Sequence, residues 1–385
     1  MFDISIIDSD EGLNGLRSEW NRLLSESQSD TIFLTWEWAW SWWRSYGDSN
    51  SLFVLVVRRG EELVGIIPLY RKSLCYMRKA WYRGLYLVGD GSYDSDYLDF
   101  IIKEGLEGEV VPSVVDLLFA RRDLWDILFL NEVPETSVNL GLLRRILFEK
   151  AWLWKESLVL CPYVDLPADW NDYVKSLKPR VRTKMRSLTR RLEEDYRVLF
   201  DQCESMNDLQ QRLESLFELH RKRWHLKGQE GVFNWEAKRK FYEEICTLFL
   251  ERGWLRFFSL AVEDRYVAHQ FCFEYYNKMF LLQEGFDPEW FQHGVGNVLR
   301  AYVFRYCIER GVRVYDFLGG VSDHKLSWGG ELKKSVRVAA GPRSLRNGLF
   351  FQVPEVVERL KERLRNTVPQ SVLGFGRSMK KIAGI

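Results

Sequence analysis

Residues 290–320 read WFQHGVGNVLRAYVFRYCIERGVRVYDFLGG. Two glycines, Gly294 and Gly296, stand just ahead of a helical pattern. Gly311 closes that pattern, and an apolar strand, VRVYDFL, follows. The spacing predicts a helix from about Asn297 to Arg310, with Asn297 as N-cap and Gly311 as the stop. A helix start carries four unpaired N–H groups and the positive end of a dipole. Together they attract anions. Glycine removes the Cβ atoms that would hold a phosphate away, and it permits positive φ. A tight turn needs such glycines for its own geometry, so the stretch alone has two readings.

Upstream, YRVLF (196–200) reads as a strand, and Asn207–Leu226 and Trp235–Arg252 carry helical periodicity. Three strands follow in WLRFFSLAVEDRYVAHQFCFEYYNKMFLLQEGF, turning near Asp264 and Asn277. The order is β-αα-βββ-loop-α-β. The first half repeats it: FDISII, helical stretches near 11–24 and 35–46, a hairpin turning at Gly60–Glu61, a strand YLDFII, a helix over 107–120 and a strand WDILFL. We read a duplicated unit. The expected fold class is α/β, a mixed α+β sheet with helices on both faces. The expected domains are 1–165, 166–342 (including a basic helix at 179–194) and a basic amphipathic tail, 343–385.

The chain has 385 residues, enough for two domains. Lys and Arg number 55 against 54 Asp and Glu, so net charge gives no footprint for a polyanion partner. The six cysteines form no C-x-x-C pair and no zinc spacing with histidine, so no metal is expected and the thiols read as reduced. The first residues, MFDISIIDSDEG, lack the basic and apolar regions of a signal peptide. No apolar run reaches the ~20 residues of a membrane span. The expected location is the cytoplasm, with peripheral contact at the inner face of the membrane.

The loop's placement after the third strand resembles the GNAT acyltransferases. That superfamily holds the pyrophosphate of coenzyme A on a Q/R-x-x-G-x-G/A loop opening the next helix. Gly294 and Gly296 match its glycine positions. Phe291 stands at the first position, with Gln292 adjacent. The resemblance implies acetyl-CoA or another acyl-CoA as co-substrate, bound by Gln292, His293, Gly294, Val295, Gly296 and Asn297. The first half offers only KEGLEGEV at this place, so it lacks a recognisable CoA loop. YDSDYLDFII, LKPRVRTKMRSLTRRLEED and HGVGNVL…GVRVYDFLGG…HKLSWGG further resemble the CelD-type, FemAB-like acetyltransferases, two GNAT-like units in tandem found with polysaccharide and envelope biosynthesis. His324 stands where that family usually has tyrosine, beside Lys325.

Acyl transfer needs a deprotonated acceptor, hydrogen-bond donors at the thioester carbonyl and a proton for the leaving thiolate. Strand alternation puts Val312, Val314, Asp316 and Leu318 on one face. A carboxylate in an apolar row is either paired or functional, which makes Asp316 the first candidate. His269 shares a face with Val267, Phe271 and Phe273. It is either a base or a satisfied core histidine. Lys325 could hold an anionic group of the acceptor, with His324 beside it. Tyr302 and Tyr306 could protonate the thiolate, though both also fit a packed helix stripe.

In KSLKPRVRTKMRSLTRRLEED (175–195), Arg182, Arg186 and Arg190 fall on one helix face while Val181, Met185, Leu188 and Leu192 face inward. The arginines are candidates for the phosphates of a sugar or lipid-linked sugar acceptor. The absence of interleaved aromatics argues against nucleic acid. In the tail, VPEVVERLKERLRNTV and GFGRSMKKIAGI suit an anionic membrane surface. Three functions compete: CoA-dependent acylation of an amino sugar or sugar hydroxyl in a ternary complex, a Fem-like transfer from aminoacyl-tRNA, and a non-catalytic binding subunit of a polysaccharide machine.

Overall fold

A computed structural model describes residues 2–76, 80–226 and 228–352. The first half runs β1 (Asp3–Ile7), α1 (Asp10–Gly15), α2 (Arg17–Ser25), α3 (Trp36–Tyr46), β2 (Ser51–Arg59), β3 (Glu62–Tyr76), β4 (Ala80–Leu87), β5 (Ile101–Ile102), α4 (Glu107–Ala120), β6 (Ile127–Pro134), α5 (Val138–Glu149) and β7 (Leu153–Asp165). The second runs α6 (Trp170–Ser176), α7 (Pro179–Asp195), β8 (Val198–Gln202), α8 (Met206–His225), α9 (Glu236–Glu251), β9 (Leu255–Val262), β10 (Arg265–Tyr275) and β11 (Lys278–Phe286). A 3-10 turn (Pro288–His293), α10 (Val295–Glu309), β12 (Val314–Asp316), α11 (Asp323–Ser327) and β13 (Glu331–Gly341) complete it.

The hairpins form where the sequence places them. Glu263, Asp264, Tyr276 and Asn277 all take positive φ. Two such central residues match the twist of the flanking strands. Side-chain caps start the helices: Ser9 accepts from the Gly12 N–H, Thr35 from Trp38 and Ser205 from Asp208.

The strands make one mixed sheet, ordered β1-β2-β3-β4-β6-β13-β7-β12-β11-β10-β9-β8, with β5 beside β3. Most pairs are antiparallel. The parallel ones, β4 with β6 and β11 with β12, hold equivalent places in the two halves. Each half's last strand lies beside the other half: β7 pairs with β12, and β13 pairs with β6 and β7. One apolar core covers a face of the sheet through both halves and joins α3 to α9, where Trp38 and Phe241 meet edge to face at 5.1 Å. A second core on the opposite face lies under α6, α7 and α10.

The third strand of the first half's three-strand run (β2, β3, β4) is β4, not YLDFII. Residues 88–100 form a loop, and only Ile101–Ile102 pair with β3. Tyr93 and Tyr97 take positive φ, 61° and 54°, which breaks an extended run. Buried Asp94, Asp96 and Asp99 in this loop find partners outside any ladder. Residues 345–352 are helical, and Phe350 packs on Tyr82. The amphipathic and cationic tail segments proposed beyond 352 lie outside the described residues. Among the described residues no helix is long and apolar enough to cross a membrane.

Candidate active site

The parallel pairing of β11 with β12 lasts three residues, Lys278–Phe280 against Val314–Asp316. Beyond it the strands part. A cavity of about 390 Å³ fills the gap, lined by Leu281–Glu284, Phe317–Gly320 and Lys325, and by the loop carrying Asp96. On β11 the register slips at Leu282: Phe271 faces Gln283, while Cys272 faces Leu281. Such a bulge frees backbone groups from the ladder beside the gap. A second cavity, about 560 Å³, lies between the halves and is lined by Tyr97, Lys278, Asp316 and Lys333 among others.

Asp316 ends β12 at the boundary of these spaces and is buried. Its carboxylate accepts from the Tyr97 hydroxyl (3.1 and 2.9 Å), from the Leu318 N–H (2.9 Å) and from Lys333 Nζ (3.5 Å). Burial pushes its carboxyl up, and Lys333, the Leu318 N–H and Tyr97 offset that in part. Asp96 accepts from the Gly319 N–H at 3.0 Å. The Lys325 ammonium donates to the carbonyls of Phe317 (2.8 Å) and Gly319 (3.1 Å), and burial holds its pKa below the ordinary lysine range.

The 88–100 loop is fixed to the second half by ions as well. Buried Lys238 of α9 pairs with Asp94 and donates to the Ser92 carbonyl at 3.0 Å. Tyr242 donates to the same carboxylate.

The glycine loop differs from the sequence reading in one respect. Gly294 is left-handed (φ 63°, ψ 33°) and serves as N-cap, so α10 begins at Val295 and Asn297 lies inside its first turn. The N–H groups of Asn297 and Val298 bond to the Gly294 carbonyl, which starts the helix earlier than Asn297 could. Among the described residues the N–H groups of Val295 and Gly296 have no hydrogen-bond partner. A Cβ on Gly294 would stand 2.6 Å from Leu188 Cδ1 of α7, whereas one on Gly296 would meet only Phe286, at 3.6 Å. Gln292 is exposed, and His293 packs against Tyr196 and Trp290.

Asn297 and His324 come together. Arg300 can only donate, so His324 Nδ1 accepts from it at 3.0 Å, and Nε2–H donates to Asn297 Oδ1 at 3.0 Å. Burial and the Arg300 charge hold the His324 pKa down to about 4. Buried Arg300 also pairs with Glu284, linking α10, β11 and α11 at the mouth of the gap.

The other candidates stand apart. His269 is fully buried between Ser259 (2.9 Å) and Ser215 (2.8 Å), and burial together with Arg212 holds its pKa down to about 3. Tyr302 donates to Glu193, and Tyr306 to Gln202 at 2.9 Å. On α7, Met185 and Leu192 are buried while Arg186 and Arg190 are exposed. Arg190 faces Glu194, and half-buried Arg182 donates to the Lys175 carbonyl. Tyr97, Asp96 and Lys333 were not among the expected site residues. The signal for the first two was YDSDYLDF, whose alternating acids suit neither a half-buried strand nor a plain loop. All six cysteines are free and only Cys75 is exposed. Among the described residues no cluster could hold a metal.

Residues 179–326 match the family model described as an acetyltransferase (GNAT) domain. No curated protein matches the chain by sequence. Among solved structures the chain is similar to FemX (TM-score 0.61, 12% identity, covering 87% of this chain and 97% of that one). It is also similar to a conserved protein of unknown function from Bacteroides thetaiotaomicron (0.57, 14%, 88% and 100%) and to L-PGS from Bacillus licheniformis (0.52, 10%, 87% and 95%). At these identities the likeness is one of fold.

Proposed function

We propose that this protein, a GNAT-type acyltransferase, moves an acetyl or longer acyl group from coenzyme A to an amino group or hydroxyl of a sugar, in a ternary complex. The observation that carries the reading is the gap between β11 and β12. It adjoins a β-bulge, lies beside a helix whose first N–H groups are unpaired, and shares Asp316's turn with a larger cavity between the halves.

In this reading the diphosphate of the coenzyme sits at Val295 and Gly296, and its thioester reaches into the gap. Backbone N–H groups at the Leu282 bulge receive the developing oxyanion. The acceptor occupies the 560 Å³ cavity. Lys278, Lys333 and Lys334 line that cavity together with Asp30, Asp99, Glu107, Glu135 and Asp316, so its wall offers both donors and acceptors to a polar acceptor such as a sugar. Lys325 ties the 317–319 turn in place through its carbonyl contacts. Holding both substrates in line supplies much of the rate. The reading leaves out His269, because both its ring nitrogens are engaged and it borders neither cavity. The sugar acceptor, and envelope or exopolysaccharide synthesis as its setting, rest on the resemblance of the sequence motifs to the CelD-type enzymes.

One observation favours a second reading, transfer from aminoacyl-tRNA. Leu188 packs where a Cβ on Gly294 would be, so this glycine has a packing reason besides phosphate, and exposed Arg186 and Arg190 on the same helix could meet RNA. Thermal shift separates the two. A ligand that binds only the folded state raises stability by RT ln(1 + [L]/Kd). Acetyl-CoA, longer acyl-CoAs or free CoA should raise Tm. No shift with any of them, together with a shift on charged tRNA, would select the second reading.

A further inference from the structure

We propose that Asp96, delivered by the first half, is the general base of the transfer and takes the proton of the acceptor's amine or hydroxyl as that group attacks the thioester. This rests on the acyl-CoA reading above and assigns a catalytic residue within it.

Two buried carboxylates flank the turn that follows β12. Asp316 is saturated: a tyrosine hydroxyl, a backbone N–H and an ammonium already occupy its oxygens. Asp96 is less committed. Oδ2 accepts from the Gly319 N–H at 3.0 Å, and Oδ1 has only the weak donor Cys161 Sγ at 3.7 Å. Asp96 also borders the gap where the strands part, with Leu282 and Gln283 of the bulge among the other lining residues. Gly319 belongs to this arrangement, since a Cβ there would stand 3.1 Å from Asp96 Oδ1.

The surroundings suit a base near neutral pH. Burial raises the Asp96 carboxyl, as do the charges of Glu132 on β6 and Asp316 on β12. The Gly319 N–H and Lys325 of α11 lower it. Arg337 on β13, Cys161 on β7 and neighbouring Tyr97 complete the set of groups facing it. The balance puts the carboxyl at about 7. A base is most effective when its pKa lies near the working pH.

The step closes in atoms and charge. The acceptor N–H or O–H proton goes to Asp96 Oδ1, and the freed lone pair forms the bond to the thioester carbon. The C–S bond breaks with its electrons on sulfur. The proton on Asp96 then passes to that thiolate, so coenzyme A leaves as the thiol and the carboxylate is restored.

The test uses full-length wild type, Asp96→Asn and Asp96→Glu. Thiol release from acetyl-CoA is followed with D-glucosamine as probe acceptor and with water alone, from about pH 5.5 to pH 9, the range around a base of pKa near 7. Acetyl-CoA binding is measured in parallel by thermal shift. In wild type, kcat/KM should fall as pH drops through about 7, because the carboxylate becomes protonated. In Asp96→Asn the rate should drop ~100-fold or more with that bend gone, the acetyl-CoA shift should persist, and Asp96→Glu should restore part of the rate. An Asp96→Asn rate within about threefold of wild type, against the ~100-fold expected of a lost general base, or an unchanged bend, overturns the proposal while leaving acyl-CoA use intact. A wild type that acetyl-CoA does not stabilise removes the acyl-CoA reading itself.

Discussion

The hydroxyl of Tyr97, from the first half, donates to both carboxylate oxygens of Asp316, at the end of a strand in the second. Tyr97 holds a positive φ of 54° to do so. A non-glycine residue in that region is uncommon and persists only where its surroundings over-determine it. Here the loop on one side is tied by Asp94 to Lys238 and by Asp96 to Gly319.

Tyr97→Phe should therefore cost about 1–2 kcal/mol of stability through one lost buried hydrogen bond. It should also raise the Asp316 pKa further, since Tyr97 is one of the groups lowering it. Asp316→Asn removes one of the charges that raise the Asp96 carboxyl, so the acid-side bend in kcat/KM should move to lower pH while acyl-CoA binding stays in place. Chemical denaturation, pH–rate profiles and calorimetric titration with acetyl-CoA check these outcomes, and an unmoved bend in Asp316→Asn would show that its charge does not act on Asp96.

The two glycines should separate cleanly. Gly294→Ala forces a side chain into left-handed backbone and against Leu188, so it should lose roughly 1–3 kcal/mol. Gly296→Ala meets nothing closer than 3.6 Å and sits in the first turn of a helix, so the melting temperature should hold or rise. If the diphosphate rests on that backbone, Gly296→Val should weaken coenzyme A binding at nearly unchanged stability. Equal CoA affinity in wild type and Gly296→Val would place the ligand elsewhere.

Asp96 makes a prediction about stability against pH. Its folded carboxyl lies at about 7, above the 3.8 of an ordinary aspartate. The folded state thus binds more protons between those values, and stability contributed by this group is full below about pH 4 and lost as pH rises through about 7. Asp96→Asn removes the buried charge. It should raise the melting temperature at pH 8 and change it little at pH 4, as scanning calorimetry at both pH values would show. A variant equally destabilised at both would contradict the assignment.

Lys238→Met should be far more damaging than removal of a surface pair. It leaves Asp94 charged and buried beside Tyr242, at a cost of roughly 3–5 kcal/mol. Asp94→Asn with Lys238→Met together should recover much of that loss, measured as a double-mutant cycle in urea.

The legible part of the fold was local. β9–β11 announced themselves through apolar stretches cut by Asp264 and Asn277, and α8 and α9 through their periodicity. Alternation also put Asp316 on an apolar face, and it is buried there. What stayed hidden depends on distant partners. No local pattern says that Tyr97 reaches a residue 219 positions away, or that β13 slots between β6 and β7. His269 shows the same limit from the other side. Its strand face was readable, but Ser215 of α8, which occupies its second nitrogen, was not.

The exchange of β7 and β13 has a bearing on synthesis. When the ribosome has delivered only the first half, β6 is paired on one side alone, and its open edge is a template for other chains. Its permanent neighbour is not made until residues 331–341. Any shortened gene product ending before Glu331 inherits that exposed edge, so truncations near the chain's midpoint should collect as insoluble aggregates rather than as a trimmed, functional fragment.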